Sequence, residues 1–357
     1  MRSVSWLVLV AVFSAVSCGN ISAPEVVASD KSSVQKKVVL AGPVFQFPTA
    51  NRELLNDGGE TNFFTATNPE RPWTSGAFGC VRNSGTRLHE GIDIKCLKRD
   101  DDGEPIDPVM ASRSGKVVHI NRNISASNYG KYVVLIHELG DLPIYTLYAH
   151  LRSVDEALNV DDLVNAGTPL GLLGRTSNTG EGISRERAHL HFEIGVQVNT
   201  KFNQWFDRWY KDGNNFHGDW NGMNLLGLDA AEILKRANAG PFDILKHLKS
   251  ESVLCRLIIF REDFDWLKRF PQLVDDDDPE SEEMIQAWEV DLNFNGIPVR
   301  MVPVRIEVRS GGSKYRIQQV DEKVLKKHPC SGLVFRKGQQ WVFTGKGQRA
   351  MDLLLYR

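Results

Sequence analysis

The sequence has almost no net charge and lacks a long apolar run, and each absence excludes a class of function. Of its 357 residues, 43 are lysine or arginine and 45 are aspartate or glutamate, which gives a formal net charge of -2. The basic residues are spread along the chain, so the positive patch typical of nucleic-acid-binding proteins is missing. The apolar run at residues 6–16 is shorter than the roughly 20 residues that span a bilayer. We therefore expect no nucleic-acid partner and no membrane-spanning anchor in this run.

The first 17 residues predict that the protein is exported from the cytoplasm. Arg2, the apolar run and the small residue Ser17 form a secretory signal peptide at residues 1–17. Residues 15–18, Ala-Val-Ser-Cys, resemble a bacterial lipobox, which implies a lipid-modified Cys18 that attaches the protein to a membrane. They also fit an ordinary A-x-A-like cleavage site, so a plain secreted protein is the alternative. Gly19 is not the aspartate that commonly retains lipoproteins at the inner membrane, which favours the outer membrane within a periplasmic or cell-envelope location.

Cysteine is scarce and forms no close Cys-x-x-Cys pair, so a cysteine-based metal site is not expected. Apart from Cys18, four cysteines remain, and an exported protein tends to pair them. Their regional grouping predicts two disulfides, Cys80–Cys96 and Cys255–Cys330.

Composition and turn signals predict a mainly β fold and a division of the chain into several segments. Short runs with strand character at 115–120, 132–136 and 144–151 are separated by glycine and asparagine turns, as in antiparallel sheets. The predicted segments are a lipid-anchored N-terminus and flexible tether at 18–65, a β domain at 66–200, an aromatic-rich connector at 201–240 and a smaller α+β domain at 241–357. The C-terminal domain is a candidate surface for a protein partner.

His189 and His191 are the most informative residues. Side chains at i and i+2 of a strand point to the same side, so the two imidazoles project together while Leu190 and Phe192 face a core. Upstream, His89 and Asp93 also have an even spacing, which puts both on one face of an extended segment. His89, Asp93 and His191 are candidate ligands of a tetrahedral zinc ion whose fourth position is open to water.

Two further histidines, His150 and His189, lie on strands beside these ligands and are candidate catalytic residues for proton transfer. Tyr148 and His150 are predicted to share a face of their strand. The alternative is that these histidines are ordinary half-buried residues that form hydrogen bonds. The remaining five histidines are assigned no role. These are His119, His137, His217, His247 and His328.

The combined motifs resemble those of the lysostaphin-type zinc metalloendopeptidases, or LytM domains. The motifs are His-Glu-Gly-Ile-Asp at 89–93, Tyr-Ala-His-Leu at 148–151 and His-Leu-His-Phe-Glu at 189–193, with a similar glycine framework between them. The resemblance covers about residues 75–200. It implies an antiparallel β-sheet core with a groove above it, zinc bound by His89, Asp93 and His191, and His150 and His189 as the catalytic pair. The implied substrate is the peptide part of bacterial peptidoglycan.

Two segments depart from the family pattern. The loop at 180–188 is longer and more charged than the family turn, and residues 97–103 look like an insertion. Both bear on the shape of the groove. The sequence thus predicts a zinc metalloendopeptidase that cuts peptidoglycan cross-links, and the alternative is a non-catalytic activator or scaffold for another cell-wall hydrolase.

Overall fold

The computed structural model describes residues 44–67, 70–179, 182–308 and 310–357. The predicted signal peptide and Cys18 lie outside these residues. Within the described ranges, no helix combines the length and the apolar character that crossing a membrane requires.

The described part of the chain is mainly β-structure. The strands are β1 Gly79–Arg82, β2 Arg87–His89, β3 Ile92–Lys95, β4 Pro108–Met110, β5 Gly115–Asn121, β6 Lys131–Leu139, β7 Leu142–Leu151, β8 Ser153–Val154, β9 Leu163–Val164, β10 Pro169–Leu172, β11 His189–Gln197, β12 Leu225–Leu228, β13 Val253–Ile259, β14 Ala287–Asn293, β15 Pro298–Val304, β16 Tyr315–Val320, β17 Val334–Lys337 and β18 Gln340–Phe343. The helices are α1 Glu60–Phe63, α2 Phe202–Trp209, α3 Ala230–Ala239, α4 Ile244–Lys249, α5 Asp265–Arg269, α6 Glu322–Lys327 and α7 Gly345–Leu354.

A central antiparallel sheet carries the predicted motifs. Its strand order is β12-β11-β7-β6-β5-β9, and β3 also pairs with β11. The strands predicted at 115–120, 132–136 and 144–151 correspond to β5, β6 and β7, so these predictions are confirmed. The antiparallel, mainly β fold class is confirmed as well.

Alternation along β11 separates the two sides of the sheet. Leu190 and Phe192 are fully buried in the main hydrophobic core, and the two histidines face the other way. His189 and His191 are also buried, with 3% and 5% exposure, because neighbouring loops cover that side of the sheet. The site therefore lies in a walled groove rather than on an open surface.

His89 and Asp93 reach the site from two strands rather than from one. His89 ends β2 and Asp93 lies in β3, where it pairs directly with His191. The break between them includes Gly91, at which an added Cβ would lie 2.4 Å from the carbonyl oxygen of Phe192. Only glycine allows the chain to pass this close to β11.

The prediction that Tyr148 and His150 share a face is wrong. In the register of β7 with β11, Tyr148 lies opposite the core residue Phe192, and its ring is fully buried in the core. His150 has a left-handed backbone, with φ of 61°, which breaks the alternation of the strand. Its ring therefore turns to the side of His191, and the two ring centres are 5.8 Å apart.

The predicted tether extends too far. Phe45, Phe47 and Phe63 are buried in the main core at 0–1% exposure, although the sequence analysis placed them in a flexible segment. The boundary at residue 65 is wrong, because these aromatic side chains pack against the β domain. Residues 18–43 lie outside the described part of the chain.

The segments after residue 200 extend the central sheet and add a second sheet. β12, within the predicted connector, pairs with β11 and extends the central sheet. The C-terminal part contains a second antiparallel sheet in the order β15-β14-β13-β16, with a hairpin of β17 and β18. The domain boundaries at 201 and 241 stay a prediction.

The predicted disulfides are wrong. Cys80 is bonded to Cys330, with Cα atoms 5.3 Å apart, and Cys96 and Cys255 are free and buried. Cys80 lies in the β1–β2 hairpin, whereas Cys96 follows β3 in the central sheet, so closeness in sequence does not bring the thiols together. Burial, followed by the charge of Asp291, raises the pKa of Cys255 to about 12, so this thiol behaves as a packing residue.

The two segments that depart from the family pattern bind each other. The carboxylate of Glu104 accepts hydrogen bonds from Arg175 at 2.8–3.2 Å and from Arg185 at 3.0 Å. Arg99 donates to the carbonyl oxygen of Arg185 at 2.7 Å. The insertion therefore holds the loop at 182–188, which leads directly into β11.

Replacing Glu104 by glutamine is expected to loosen this loop, because the neutral amide cannot pair with two guanidinium groups. Trypsin should then cleave after Arg185 or Arg187 several-fold faster, as followed by mass spectrometry of the intact protein. Asp102→Asn is the matched control, since the side chain of Asp102 is exposed and enters no ion pair between described residues. Equal cleavage of the two variants would contradict the role of Glu104.

Candidate metal centre

Three buried donor atoms converge at one point of the groove. Nε2 of His89 and Nδ1 of His191 each lie 3.2 Å from Oδ1 of Asp93, and the two nitrogens are 3.2 Å apart. Tetrahedral zinc with bonds of about 2.0 Å separates its ligand atoms by about 3.3 Å. The triangle therefore has the size that this ion requires.

The outer hydrogen bonds of the two imidazoles leave their lone pairs facing each other. Nδ1 of His89 donates to the carbonyl oxygen of Ala77 at 2.7 Å, and Nε2 of His191 donates to Glu193 at 2.9 Å. In these neutral tautomers, Nε2 of His89 and Nδ1 of His191 carry lone pairs directed at the carboxylate of Asp93. Three electron-rich atoms therefore face one another in this tautomer, and either a proton on His191 or a cation can provide the positive charge between them.

His150 and His189 are held in the same way beside this triangle. Nδ1 of His150 donates to the carbonyl oxygen of Thr176 at 2.8 Å, and Nδ1 of His189 donates to that of Arg187 at 2.6 Å. The ring centres of the two histidines are 5.0 Å apart. Nε2 of His189 lies 3.4 Å from Oδ1 of Asp93, so this histidine also borders the triangle.

Burial determines the charge of His150. Removal from water, reinforced by the neighbouring imidazoles of His189 and His191, lowers the pKa of His150 well below its ordinary value. The ring is therefore neutral at pH 7 and able to accept a proton.

Carboxylates dominate the field around the donor triangle. Burial opposes ionisation of Asp93, but the imidazoles of His189 and His89 outweigh it and lower the pKa of Asp93 well below its usual range. Burial also lowers the pKa of an imidazole, yet the hydrogen bonds of His191 with Asp93 and Glu193 raise the pKa of His191 to about 9. Positive charge is thus favoured between the two carboxylates.

Glu193 is fully buried and orients His191. Besides His191, its carboxylate accepts hydrogen bonds from the hydroxyls of Tyr129 at 2.7 Å and Tyr145 at 2.6 Å. Burial raises the pKa of a carboxyl group, but these three donors lower the pKa of Glu193 overall, so it is ionised. Glu193 is part of the motif at 189–193, but no role was predicted for it. Its position two residues after His191 on the same strand indicates the same side of the sheet.

Arg82 contacts the triangle from β1. Its Nη2 atom donates to Oδ2 of Asp93 at 2.5 Å and lies 2.8 Å from Nε2 of His89. The contact with His89 uses the lone pair that a metal ion requires, so the two compete. No spacing pattern in the sequence pointed to Arg82.

The groove around the triangle has a volume of about 910 Å³. One wall comes from the segment predicted as a connector, including Phe216, His217 and Met223. Phe216 is 67% exposed, so an apolar ring stands at the groove rim. His217 was assigned no role, yet it lines this groove and contacts the hydroxyl of Tyr132 at 2.7 Å. The volume of the groove lies near the upper end of the range of ligand-binding pockets.

The site residues predicted from sequence are therefore brought together as a group. His89, Asp93 and His191 form one group of donor atoms that lie within 4.8 Å of one another. His150 and His189 lie beside them. Glu193, Arg82 and Tyr129 are the neighbouring residues that sequence reasoning missed.

Comparison with known proteins gives a family for this region. Residues 87–203 match the model of peptidase family M23. The search of curated proteins gives no match.

Solved structures with partial similarity include the catalytic domain of lysostaphin from Staphylococcus simulans, with 24% identity over 38% of this chain and 81% of that chain, and a TM-score of 0.25. Complete lysostaphin from Staphylococcus simulans has 20% identity over 57% of each chain and a TM-score of 0.32. A zinc-containing peptidase from Vibrio cholerae has 22% identity over 43% of this chain and 37% of that chain, with a TM-score of 0.26. The chain thus spans less than two thirds of the last two proteins. The lysostaphin-type resemblance is confirmed by the family model, which matches residues 87–203 of this chain.

Proposed function

We propose that this protein is an exported zinc metalloendopeptidase that hydrolyses peptide cross-links of bacterial peptidoglycan. The observation that carries the proposal is the triangle of His89 Nε2, Asp93 Oδ1 and His191 Nδ1, with sides of 3.2 Å. Two imidazoles and one carboxylate are a typical ligand set of catalytic zinc sites, in which the fourth position belongs to water. With zinc bound, both histidines would be neutral and would keep their outer hydrogen bonds to Ala77 and Glu193.

The protein supplies the proton transfers that amide hydrolysis needs. A zinc ion held by His89, Asp93 and His191 would supply water of lowered pKa and polarise the scissile carbonyl group. The Nε2 atoms of His150 and His189 accept a proton from the attacking water and donate one to the departing amine or to the oxyanion. The carbonyl oxygens of Thr176 and Arg187 fix both rings for this task.

The location and partners follow from the sequence. The signal peptide at 1–17 and the lipobox-like Cys18 support a lipid-anchored protein of the cell envelope, in the outer membrane of a two-membrane cell. The peptide part of peptidoglycan is the substrate in that compartment. The C-terminal part is proposed to contact a protein partner.

The direct test is metal content together with digestion of purified sacculi. We expect about one zinc ion per purified chain by atomic emission, and release of cross-link fragments that mass spectrometry identifies. A chelator should stop the release, and added zinc should restore it. Zinc-bound protein that releases nothing would contradict the enzyme assignment.

The activator alternative predicts a different result. A non-catalytic activator would stimulate a separate hydrolase and would retain this effect in His89→Ala. We expect His89→Ala to lose both zinc and hydrolysis when no other hydrolase is present.

Glu193→Gln is expected to lower both zinc affinity and the rate of hydrolysis by about 10–100-fold, because removal of the charge behind a metal-binding histidine weakens it as a ligand. Competition with a coloured chelator measures the zinc affinity, and fragment release measures the rate. Glu138→Gln, at an exposed position of β6, is the matched control and should leave both unchanged. Unaltered zinc affinity in Glu193→Gln would refute the orienting role.

A further inference from the structure

Three arginines line the groove beside the proposed zinc site: Arg82, Arg87 and Arg187. Among the described residues that line the groove, the acidic side chains are Glu90 and Asp93. Asp93 is one of the proposed zinc ligands, so its negative charge would mainly neutralise the metal ion. The groove therefore carries an excess of positive charge next to the scissile position.

Arg82 and Arg87 are direct neighbours across a hairpin. They pair in the register of β1 with β2, so both side chains leave the same side of this two-stranded sheet. The turn between them places Asn83 and Ser84 in the left-handed region, at φ of 47° and 58°. Like charges directly opposite each other destabilise a sheet, so the pair is costly to the free protein.

Arg187 brings a third positive charge to the same place. Its carbonyl oxygen accepts a hydrogen bond from His189. Its side chain is half-buried, and Nε donates to the carbonyl oxygen of Ala66 at 3.3 Å. Burial lowers the pKa of Arg187, the charge of Asp93 partly opposes this, and the charge of Arg82 adds to it. The guanidinium groups of Arg82 and Arg187 therefore lie in one groove, where like charges repel and Asp93 attracts both.

Little within the described chain balances these charges. Arg82 pairs with Asp93, whereas none of the ion pairs between described residues involves Arg87 or Arg187. The guanidinium group has a planar fork of donors that binds carboxylates in bidentate fashion. An incoming carboxylate would relieve the repulsion and satisfy these donors together.

We propose that Arg82, Arg87 and Arg187 form a subsite for a free carboxylate of the substrate peptide, beside the scissile bond. This inference rests on the proposed function and narrows its substrate class. The preferred substrate is an acidic peptide, and a neutral polyglycine bridge offers this subsite nothing to bind.

The test compares one substrate with and without its negative charge. Soluble cross-linked muropeptides are used as released from sacculi, and again after their carboxylates have been converted to carboxamides. Calorimetry measures the dissociation constants of both forms for the full chain carrying His150→Ala, in the presence of zinc, so that binding is separated from turnover. Arg87→Gln is added to this background, and Arg349→Gln at an exposed position of α7 outside the groove is the matched control.

We expect amidation to weaken binding about tenfold or more in the His150→Ala background and in its Arg349→Gln derivative, since charge-assisted hydrogen bonds are lost. In the Arg87→Gln derivative, the dissociation constants of the amidated and charged forms should differ by less than about threefold. Circular dichroism and zinc content check that each variant is folded and loaded.

Two results would overturn the subsite. One is equal binding of the charged and amidated forms, and the other is the same ratio in Arg87→Gln and Arg349→Gln. If the wild-type protein hydrolyses sacculi while either result is obtained, the proposed function stands and the subsite alone fails. Failure of both muropeptide forms to bind would refute the subsite together with the proposed substrate.

Discussion

His191→Ala is expected to abolish both zinc binding and the hydrolysis of sacculi. The substitution removes one corner of the donor triangle and leaves the buried carboxylates of Asp93 and Glu193 without their common partner. Two remaining ligands hold zinc far more weakly than three. Atomic emission after dialysis measures the metal, and fragment release measures the activity.

His189→Ala on the same strand is the matched comparison. It lies two residues away, is equally buried and is proposed to transfer protons rather than to bind zinc. We expect this variant to retain zinc while the rate falls by about 10²–10⁴. Loss of zinc in His189→Ala, or retained activity in His191→Ala, would reverse or refute the assigned roles.

The sequence determined the part of the site that depends on local periodicity. On β11 the alternation alone placed His189 and His191 together, opposite Leu190 and Phe192. The same rule, applied further, would have found Glu193, which points to the site from the next position of that alternation. Periodicity is informative here because β11 is regular from end to end.

The same rule failed where the backbone departs from a regular strand. His150 ends its strand in a left-handed conformation, so its ring points opposite to the side that alternation predicts. Such a conformation is rare for residues other than glycine and is common at functional sites. The ring and the backbone of His150 both form hydrogen bonds with Thr176, which is 26 residues away, and no local pattern in the sequence indicates such contacts.

Contacts between distant segments were equally hidden. The sequence indicated the insertion at 97–103 and the loop at 180–188 as departures from the family pattern, but it did not indicate that they bind each other. The two segments are far apart in the sequence and meet only in the folded protein. Arg82 reaches Asp93 for the same reason, since a hairpin outside the central sheet turns back over the groove.

Cys80→Ala is expected to lower the free energy of unfolding by about 5 kcal/mol, because the bond to Cys330 closes a loop of 250 residues in the unfolded chain. Urea unfolding of the oxidised proteins, followed by tryptophan fluorescence, measures this difference. Cys96→Ala is the matched control and should cost much less, since its thiol is free. Equal losses in the two variants would favour the pairing of Cys80 with Cys96 instead.

The disulfide also connects stability to the proposed chemistry. Cys80 lies two residues before Arg82 in β1, and β1 pairs with the strand that ends at His89. The bond to Cys330 therefore fixes the hairpin that carries one zinc ligand and two of the subsite arginines. We expect Cys80→Ala to lower zinc affinity at urea concentrations where the protein is still folded, and unchanged affinity there would show that the hairpin holds its position without the bond.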